Sequence, residues 1–369
     1  MRVLYFTRDY TPHDYRFLSG LAQTEHEIYA LRLERKGIQK EDRPLPVKVN
    51  QVIWRGGRSP ARLPDGPGLL WDLKRVIKSV NPDLIHAGPL QTSAFLAALA
   101  GFHPLVSMSW GSDILVDADR NRFWNWATRR ALNGTDVLLG DCLAVKNKAE
   151  SLGFNPEKVV LFPWGVDLKQ FSPGPPLELI DRLGWRDKFI LLSLRSWEPI
   201  YGVDVVVKAF ARAAGENDQL RLLLLGGGSL APMVQGLISR YQLADKIHLG
   251  GQVPQGDLPS YYRSANLYIS ASHSDGSSVS LMEALACGIP VLVSDIPGNL
   301  EWITPGQEGW LFRDGDEDSL ENGILNAYAL RSGAGEMSAA ARHLAGSRAD
   351  WQVNFSHLLE AYEKAAQPR

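Results

Sequence analysis

The chain has 369 residues, of which 45% are hydrophobic and 22% charged, and its formal net charge is -2. This length is ample for two packed domains, and the charge argues against a protein whose main task is to coat nucleic acid. The two cysteines, Cys142 and Cys287, lie far apart among apolar or small neighbours, so we expect buried free thiols and no disulfide framework.

The first residues, MRVLYFTRDY, are strand-like and contain no charged leader followed by a long apolar run. No apolar stretch of the sequence reaches the length of about 18 residues that a membrane-spanning helix needs. We therefore expect a soluble, cytoplasmic protein.

Short apolar runs alternate with longer helical patterns in the first half of the chain. The helical patterns, at 68–80 and 91–101, repeat apolar residues at every third or fourth position, which is typical of crossover helices. Such alternation predicts a parallel sheet covered by helices on both faces. The predicted strands are 2–7, 26–31, 83–87, 104–109, 136–140 and 159–163.

A segment rich in Gly and Pro, 162–178, is a natural linker, and the same alternation begins again after it. The second set of predicted strands is 188–195, 220–228, 247–251, 266–272 and 290–295. We predict an α/β fold of two doubly wound, Rossmann-like domains that face a cleft lined by the carboxyl ends of their strands. The predicted domains are 1–165 and 166–348, and the helical segment 349–369 is expected to return to the first domain.

The segment SHSDGSSVSLMEALACGIPVLVSD predicts a strand-to-helix turn of small residues. Gly276, Ser277 and Ser278 precede a predicted helix at 279–288, whose N-terminus favours an anion such as phosphate. Glu283, one turn into the helix, could accept hydrogen bonds from ribose hydroxyls, since a carboxylate is purely an acceptor. The alternative is that one of the serines is only an N-cap and that Glu283 is a solvated helix residue.

Two carboxylates in this segment, Asp275 and Glu283, are separated by seven residues and followed by ALACGIPVLVSD. This resembles the E-x7-E segment of the retaining glycosyltransferases of family 4, which have the two-domain GT-B fold. The resemblance extends in order through FPWGVDLKQFSPG, GVDVVVKAFARA, LRLLLLGGGS and IHLGGQVPQGDLPSYYRSANLYISAS. It implies that Asp275 meets the donor sugar, that Glu283 meets the ribose, and that the loop through Val279 holds the donor diphosphate.

Arg195 takes the place of the family's diphosphate-binding arginine, and the alternative is a surface pair with Glu198. Family members usually add a lysine just before the next helix, but here Tyr201 precedes Gly202. Asp275 also departs from the family, because glutamate is usual there and is one methylene longer.

In the first domain, Trp110 takes the position of a family histidine that lies against the donor sugar. Its indole could stack on a sugar but offers no proton chemistry. The segment 8–17 lacks the glycines that the family often carries, so His13 or Asp14 could touch the donor or acceptor, with a helix cap as the equal alternative for Asp14. His86 is the remaining candidate histidine facing the cleft, and a buried histidine is its alternative.

Gly227, within the glycine turn 226–228, and Val253 are implied by the resemblance to present main-chain atoms near the ribose and base. The triplet DAD at 117–119 imitates metal-binding carboxylates of another glycosyltransferase fold. GT-B enzymes use arginine and helix dipoles in its place, so the resemblance implies no metal and no cofactor besides the donor substrate.

The implied activity is that of a metal-independent hexosyltransferase that moves a sugar from a nucleoside diphosphate sugar, with UDP or GDP, to a hydroxyl of a glycan or lipid-linked acceptor. Anomeric configuration would be retained, and no nucleic acid partner is expected. Two alternatives remain: an isomerase like the sugar-nucleotide 2-epimerases, and a degenerate nucleotide-sugar-binding protein. The second is suggested by the joint departures at Tyr201, Asp275 and Trp110.

Basic residues are concentrated in the first domain. Segment 32–62 has nine Lys or Arg against three acidic residues, and segment 120–132 mixes four arginines with Phe123, Trp124 and Trp126. Such segments could rest on the inner face of an anionic membrane and receive a lipid-linked acceptor. The alternative is that the aromatic helix packs on its own sheet while its arginines face water.

Overall fold

The computed structural model describes residues 1–35, 41 and 43–367, so residues 36–40 and 42 of the basic segment lie outside the described residues. The chain forms two compact units, one of Met1–Phe162 with Phe355–Arg369 and one of Pro163–Asn354. Within the described ranges, no helix combines the length and apolar character that a membrane crossing requires.

The first unit contains a parallel sheet of seven strands in the order β3-β2-β1-β4-β5-β6-β7. These strands are β1 (Arg2–Thr7), β2 (Glu27–Arg32), β3 (Val49–Gln51), β4 (Leu84–Gly88), β5 (Leu105–Met108), β6 (Val137–Gly140) and β7 (Val159–Leu161). Its helices are α1 (Pro12–Leu21), α2 (Gly66–Val80), α3 (Phe95–Ala100), α4 (Ser112–Leu115), α5 (Arg122–Asn133) and α6 (Leu143–Ser151).

The second unit contains a parallel sheet of six strands in the order β10-β9-β8-β11-β12-β13. These strands are β8 (Phe189–Ser193), β9 (Leu220–Leu225), β10 (Ile247–Gly251), β11 (Leu267–Ser270), β12 (Val291–Ser294) and β13 (Gly309–Phe312). Its helices are α7 (Leu179–Arg182), α8 (Val203–Glu216), α9 (Ala231–Arg240), α10 (Leu258–Arg263), α11 (Val279–Ala286), α12 (Pro297–Leu300), α13 (Glu317–Ala329) and α14 (Ala334–Arg348).

Both faces of the second sheet are buried, which explains why its strands have nearly continuous apolar sequences. Along β8, Leu191 belongs to the apolar cluster that includes α8, whereas Ile190 and Leu192 belong to the opposite cluster, which includes α11. The prediction of two doubly wound sheets is therefore confirmed.

The last helix, α15 (Trp351–Ala366), packs on the first unit, as predicted. A Cβ atom added to Gly20 in α1 would lie 2.7 Å from the ring of Phe355, so this ring packs closely on the helix and would have to shift to admit a side chain there. Tyr362 is fully buried and lies beside His86 of β4. Aromatic side chains thus attach the helix to the sheet.

Each sheet contains one position at which the strand order reverses. In the second unit β9 and β10 extend to one side of β8, while β11, β12 and β13 extend to the other. In the first unit the same reversal occurs between β1 and β4. In open α/β sheets, ligands bind at the carboxyl ends of the strands beside such a reversal.

Candidate functional site

The donor-site residues predicted in the second unit follow four neighbouring strands at their carboxyl ends. Arg195 follows β8, Gly227 follows β9, Val253 follows β10, and the loop from Asp275 to Ser278 follows β11. Because the strands are parallel and adjacent, the fold brings residues from four separate segments to one edge of the sheet. Arg195 and the Asp275 loop lie on the two sides of the strand reversal.

Arg195 is held by the loop that follows β11. Its Nη2 forms an ion pair with Asp275 Oδ2 at 2.6 Å, although no N–H of the guanidinium points at this oxygen. Its Nη1 donates hydrogen bonds to the hydroxyls of Ser278 and Ser280, both at 3.1 Å. Its Nε is buried and has no hydrogen-bond partner among the described residues. The guanidinium is therefore oriented by residues that lie about eighty positions away in the chain.

The Arg195–Asp275 pair is largely shielded from water, because the two side chains are only 15% and 18% exposed. Burial alone would lower the pKa of Arg195, but the Asp275 carboxylate raises it above its ordinary value. Burial raises the pKa of Asp275, and the positive charge of Arg195 offsets part of this rise. The arginine thus remains a fixed cation beside the loop.

The small-residue loop is tightly built. Ser277 accepts a hydrogen bond from Trp302 Nε1 at 3.0 Å. Ser278 is the N-cap residue of α11, yet its side chain makes no capping hydrogen bond and instead accepts one from Arg195. Gly276 is buried with both serines, whereas Val279 is half-buried. The interpretation of Ser278 as only a helix cap therefore does not fit this arrangement.

Glu283 is buried, not solvated. Its Oε2 accepts a hydrogen bond of 2.9 Å from Tyr262 Oη, which also lies 3.0 Å from the carbonyl oxygen of Ser280. Burial, followed by the negative charge of Glu283, raises the pKa of Tyr262 well above its ordinary value, so the phenol stays a donor. No sequence pattern had indicated Tyr262, because it lies on α10, twenty-one residues before its partner.

The glycine turn after β9 is organised by residues that follow β8. Trp197 Nε1 donates to the Leu225 carbonyl at 3.0 Å, and Glu198 accepts from the backbone N–H of Ser229 at 2.9 Å. Glu198 therefore binds this turn and is not the partner of Arg195. A Cβ atom added to Gly227 would have no heavy atom within 4 Å, so the main chain there faces open space.

Val253 lies beside this turn through a backbone connection between the two loops. The N–H of Gly226 donates to the Gly251 carbonyl at 2.6 Å, and Gly251 adopts a positive φ of 64°. Val253 itself is half-buried against the apolar cluster that includes α11.

In the first unit, two of the predicted residues meet. The rings of His13 and Trp110 have centroids 5.4 Å apart at 40°, and Phe17 approaches the same indole edge-on at 6.2 Å. His13 is the second residue of α1, the helix after β1, and Trp110 follows β5, so they too lie at the carboxyl edge of their sheet. Both are half-buried.

Asp14 is a helix cap, which decides between its two interpretations. Its Oδ2 accepts from the backbone N–H of Thr11 at 2.9 Å, and Thr11 Oγ1 accepts in return from the Asp14 backbone N–H, which completes a capping box. Tyr5 Oη also donates to Asp14 at 3.0 Å.

A carboxylate that sequence reasoning missed, Asp113, organises the loop that carries Trp110. It is buried and accepts hydrogen bonds from Ser109 Oγ at 2.6 Å and from the backbone N–H groups of Trp110, Ile114 and Leu90. Burial raises its pKa, and these hydrogen bonds act in the opposite direction. Asp113 thus joins the loops that follow β4 and β5.

His86 does not face the carboxyl edge with the other residues. It is buried within β4, and its Nδ1 lies 2.7 Å from Tyr362 Oη. Burial lowers its pKa to about 3, so the ring is neutral. The structure therefore corrects the interpretation of His86 as a cleft-facing residue and favours the buried alternative.

The acidic triplet at 117–119 lies in a short 3-10 turn, where Asp119 forms an ion pair with Lys148 at 2.5 Å. Across residues 1–35, 41 and 43–367, no group of three or more His, Cys, Asp or Glu side chains is arranged to hold a metal ion.

Comparison with known families gives two matches, one for each half of the chain. The profile of the family described as "Glycosyltransferase Family 4" matches residues 13–170, and that of "Glycosyl transferases group 1" matches residues 178–344.

Among curated proteins, the chain is 24% identical over 362 residues to the GDP-mannose-dependent alpha-(1-6)-phosphatidylinositol monomannoside mannosyltransferase of Mycolicibacterium smegmatis, covering 93% of this chain and 92% of that protein. It is 30% identical over 224 residues to the D-inositol 3-phosphate glycosyltransferase of Thermobifida fusca, covering 58% of this chain and 51% of that protein.

Two solved structures are similar over nearly the full chain. Sucrose-phosphate synthase from Thermosynechococcus elongatus superposes with a TM-score of 0.81 at 18% identity, covering 99% of each chain. Anabaena Alr3699/HepE in complex with UDP-glucose gives a TM-score of 0.80 at 17% identity, covering 98% of this chain and 99% of that one. At these identities the likeness establishes the fold.

Proposed function

Since the chain belongs to the glycosyl transferases group 1 family and has the GT-B fold, we propose that it moves a hexose-type sugar from a nucleoside diphosphate sugar to a hydroxyl group of a glycan or lipid-linked acceptor. The reaction retains the anomeric configuration and needs no metal ion and no cofactor. That the protein is a glycosyltransferase follows from its family.

The observation that carries the proposal is the placement of Arg195 beside the N-terminus of α11, at the strand reversal of the second sheet. A buried, fixed guanidinium and the N–H groups that open a helix both stabilise anionic oxygens. Glu283 lies one turn further along the same helix, and its carboxylate can accept hydrogen bonds from ribose hydroxyls. A nucleoside diphosphate matches these features, because its diphosphate would meet the guanidinium and the helix N–H groups and its ribose hydroxyls would meet Glu283.

In the proposed mechanism, Arg195 and the loop 275–279 stabilise the negative charge that develops on the leaving diphosphate. The acceptor hydroxyl attacks the face from which the diphosphate departs, and a phosphate oxygen of the leaving group takes its proton. Arg195 is the residue that acts directly on the departing charge. Trp110 and His13 supply a sugar-stacking surface in the first unit.

Uracil and guanine are the two candidate bases of the donor nucleotide. The mycobacterial relative is named for GDP-mannose, and the Anabaena structure contains UDP-glucose. The loops at Gly227 and Val253 offer main-chain atoms to a base and do not discriminate between these two.

Calorimetric titration with UDP, GDP and ADP tests the donor site. We expect one nucleotide to bind the wild type and the Arg195→Ala variant to bind it about 10- to 100-fold more weakly, the range for losing hydrogen bonds to a charged group. Glu283→Gln, which keeps an acceptor for Tyr262, should weaken nucleotide binding without a comparable loss of stability. Absence of binding to all three nucleotides would contradict the proposal.

Two alternatives are separated by the products formed. An isomerase would convert the donor without consuming acceptor, and a degenerate binder would hold the nucleotide sugar without turnover. The intact set of Arg195, Ser278 and Glu283 favours transfer over the degenerate binder.

For the acceptor, we propose peripheral contact with the cytoplasmic face of an anionic membrane. Of the four large aromatic side chains exposed among the described residues, Trp71 (63%), Phe123 (45%) and Trp126 (52%) lie on α2 and α5, and the fourth is Tyr241 in the second unit. Both helices pack against α3, so they form one layer.

The charge of this layer fits an anionic lipid surface. The α2 helix carries three Lys or Arg and one Asp, and α5 carries three Arg and no acidic residue, although the whole chain has a net charge of -2. Exposed aromatics beside cations are typical of segments that lie in the membrane interface. Exposure of Phe123 and Trp126 argues against the alternative that the aromatics of α5 all pack on the sheet.

Co-sedimentation with vesicles tests this contact. Binding to vesicles containing phosphatidylglycerol, but not to pure phosphatidylcholine, is expected, and the Trp71→Ala/Trp126→Ala variant should lose it while Tyr241→Ala retains it. Equal sedimentation of both variants would contradict the proposed surface.

A further inference from the structure

Tyr201 occupies the position at which the family usually carries a second cation, and the structure shows what this phenol contacts. Its ring lies beneath the guanidinium of Arg195, with Arg195 Cζ 4.2 Å from the ring centroid. The hydroxyl of Tyr201 makes no hydrogen bond within the described part of the chain. The contact with Arg195 is therefore made by the face of the ring.

The position of this ring is fixed by the backbone around it. Tyr201 ends a 3-10 turn that begins at Pro199, and the carbonyl oxygen of Ile200 accepts a 2.9 Å hydrogen bond from the backbone N–H of His273. Gly202 follows with a φ of 57°, and a Cβ atom there would clash with the carbonyl oxygen of Ala271. The turn is thus pressed against the chain that leads from β11 to Asp275.

Arg195 is consequently held on two sides. Tyr201 covers one face of the guanidinium, while Asp275, Ser278 and Ser280 contact its terminal nitrogens. A planar guanidinium over an aromatic face is attracted by the ring, and the attraction is stronger where water is excluded. Without the ring, the long side chain would have freedom to move away from the loop.

We propose that Tyr201 is a positioning residue that holds Arg195, through its aromatic face and not its hydroxyl, in the orientation in which this single cation meets the donor diphosphate. The inference rests on the proposed function, because it takes Arg195 as the diphosphate contact. Tyr201 supplies no charge of its own. It offsets the missing second cation by keeping the guanidinium of Arg195 in a fixed orientation.

The test compares Tyr201→Leu with Tyr201→Phe by calorimetry, using the nucleoside diphosphate that binds the wild type and its monophosphate. Tyr201→Leu should weaken diphosphate binding about 3- to 30-fold, which corresponds to the usual strength of a cation–π contact, and should change monophosphate binding less than twofold. Tyr201→Phe keeps the ring and should bind the diphosphate within twofold of the wild type.

Two controls accompany these variants. Tyr241→Leu removes another tyrosine that lies under an arginine, since Arg240 Cζ is 5.6 Å from its ring, and should leave binding unchanged. In an Arg195→Gln background, Tyr201→Leu should lower diphosphate affinity less than twofold, because the residue on which it acts is gone.

Each other outcome overturns the inference in a recognisable way. Equal losses for monophosphate and diphosphate would mean that Tyr201 only fills space. A loss in Tyr201→Phe as large as in Tyr201→Leu would assign the role to the hydroxyl, and an unaffected Tyr201→Leu would show no role. If the wild type binds no nucleoside diphosphate, the proposed function itself fails and the inference fails with it.

Discussion

Among single residues, the site depends most on the ion pair between Arg195 and Asp275, which is largely shielded from water. Arg195 and Asp275 are each mostly buried, so removing one charge leaves the other without compensation. Asp275 lies one methylene closer to its backbone than the usual glutamate would. The Asp275 carboxylate is paired with Arg195.

Arg195→Gln should therefore lower the free energy of unfolding by about 3 kcal/mol in urea denaturation at neutral pH, because it leaves the Asp275 carboxylate without its cation. The matched control is Arg212→Gln, which removes an arginine that pairs with Asp318 at the surface and should change the free energy of unfolding much less. Similar, small losses in both variants would show that the Arg195–Asp275 pair does not contribute as a buried pair.

His86 predicts how stability changes with pH. Its pKa falls from 6.5 to about 3 on burial, so the unfolded chain binds the proton more readily than the folded one between these values. The part of the unfolding free energy that depends on neutral His86 is therefore present above pH 6.5 and is lost as the pH falls towards 3. Between pH 7 and pH 5 this group should cost about 2 kcal/mol of unfolding free energy.

The measurement is urea unfolding at the two pH values for the wild type and for His86→Leu/Tyr362→Phe, in which the buried hydrogen bond is removed as a pair. The double variant should lose about 2 kcal/mol less than the wild type on acidification. An identical loss in both proteins would mean that His86 is not the responsible group.

Several site residues could be predicted from the sequence because their signal is local. Gly276, Ser277, Ser278 and Glu283 stand in one short segment of recognisable spacing. Tyr262 could not, since it donates to Glu283 on another helix, and the contact of Asp113 with Leu90 joins two loops that are distant in the sequence. The prediction that His86 faces the cleft is wrong, because α15, from the far end of the chain, covers this part of β4.

At the element scale, the glycine turn after β9 offers a clean test of donor approach. Gly227 has no neighbour within 4 Å of an added Cβ atom and no positive φ, so Gly227→Ala should change the free energy of unfolding by less than about 0.5 kcal/mol. We expect nucleotide affinity nonetheless to fall about tenfold, because the methyl group would occupy space through which the ligand reaches the main chain.

Gly256→Ala is the control, since an added Cβ atom is equally unobstructed there, and it should leave nucleotide affinity unchanged. Unaltered affinity in Gly227→Ala would place the nucleotide away from this turn.

Most elements were predictable because strands of a doubly covered parallel sheet have continuous apolar sequences. The two strands that the sequence did not reveal, β3 and β13, are short and lie at sheet edges, and two of the three residues in β3 are exposed. The β3 strand, VNQ, has a single apolar residue, and the β13 strand, GWLF, has only three, so neither gives a strong strand pattern.

At the scale of the whole molecule, the alternation of strands and helices indicates two doubly wound sheets, but strand order is a property of pairing between distant segments. The reversal beside β8, which brings Arg195 to the Asp275 loop, is visible only in the structure. The resemblance to family 4 implies that Arg195 and the Asp275 loop lie together, because the role of each residue follows from its position in the family's motifs.

Sugar transfer with retention of the anomeric configuration can be followed by proton NMR of the reaction products. The donor is the sugar nucleotide chosen by calorimetry, offered with candidate glycan and lipid-linked acceptors in the presence of a chelator. We predict a new glycoside with the anomeric configuration of the donor, formed by the wild type and not by Arg195→Ala. An isomerised donor, a bound but unconverted donor, or a product of inverted configuration would contradict it.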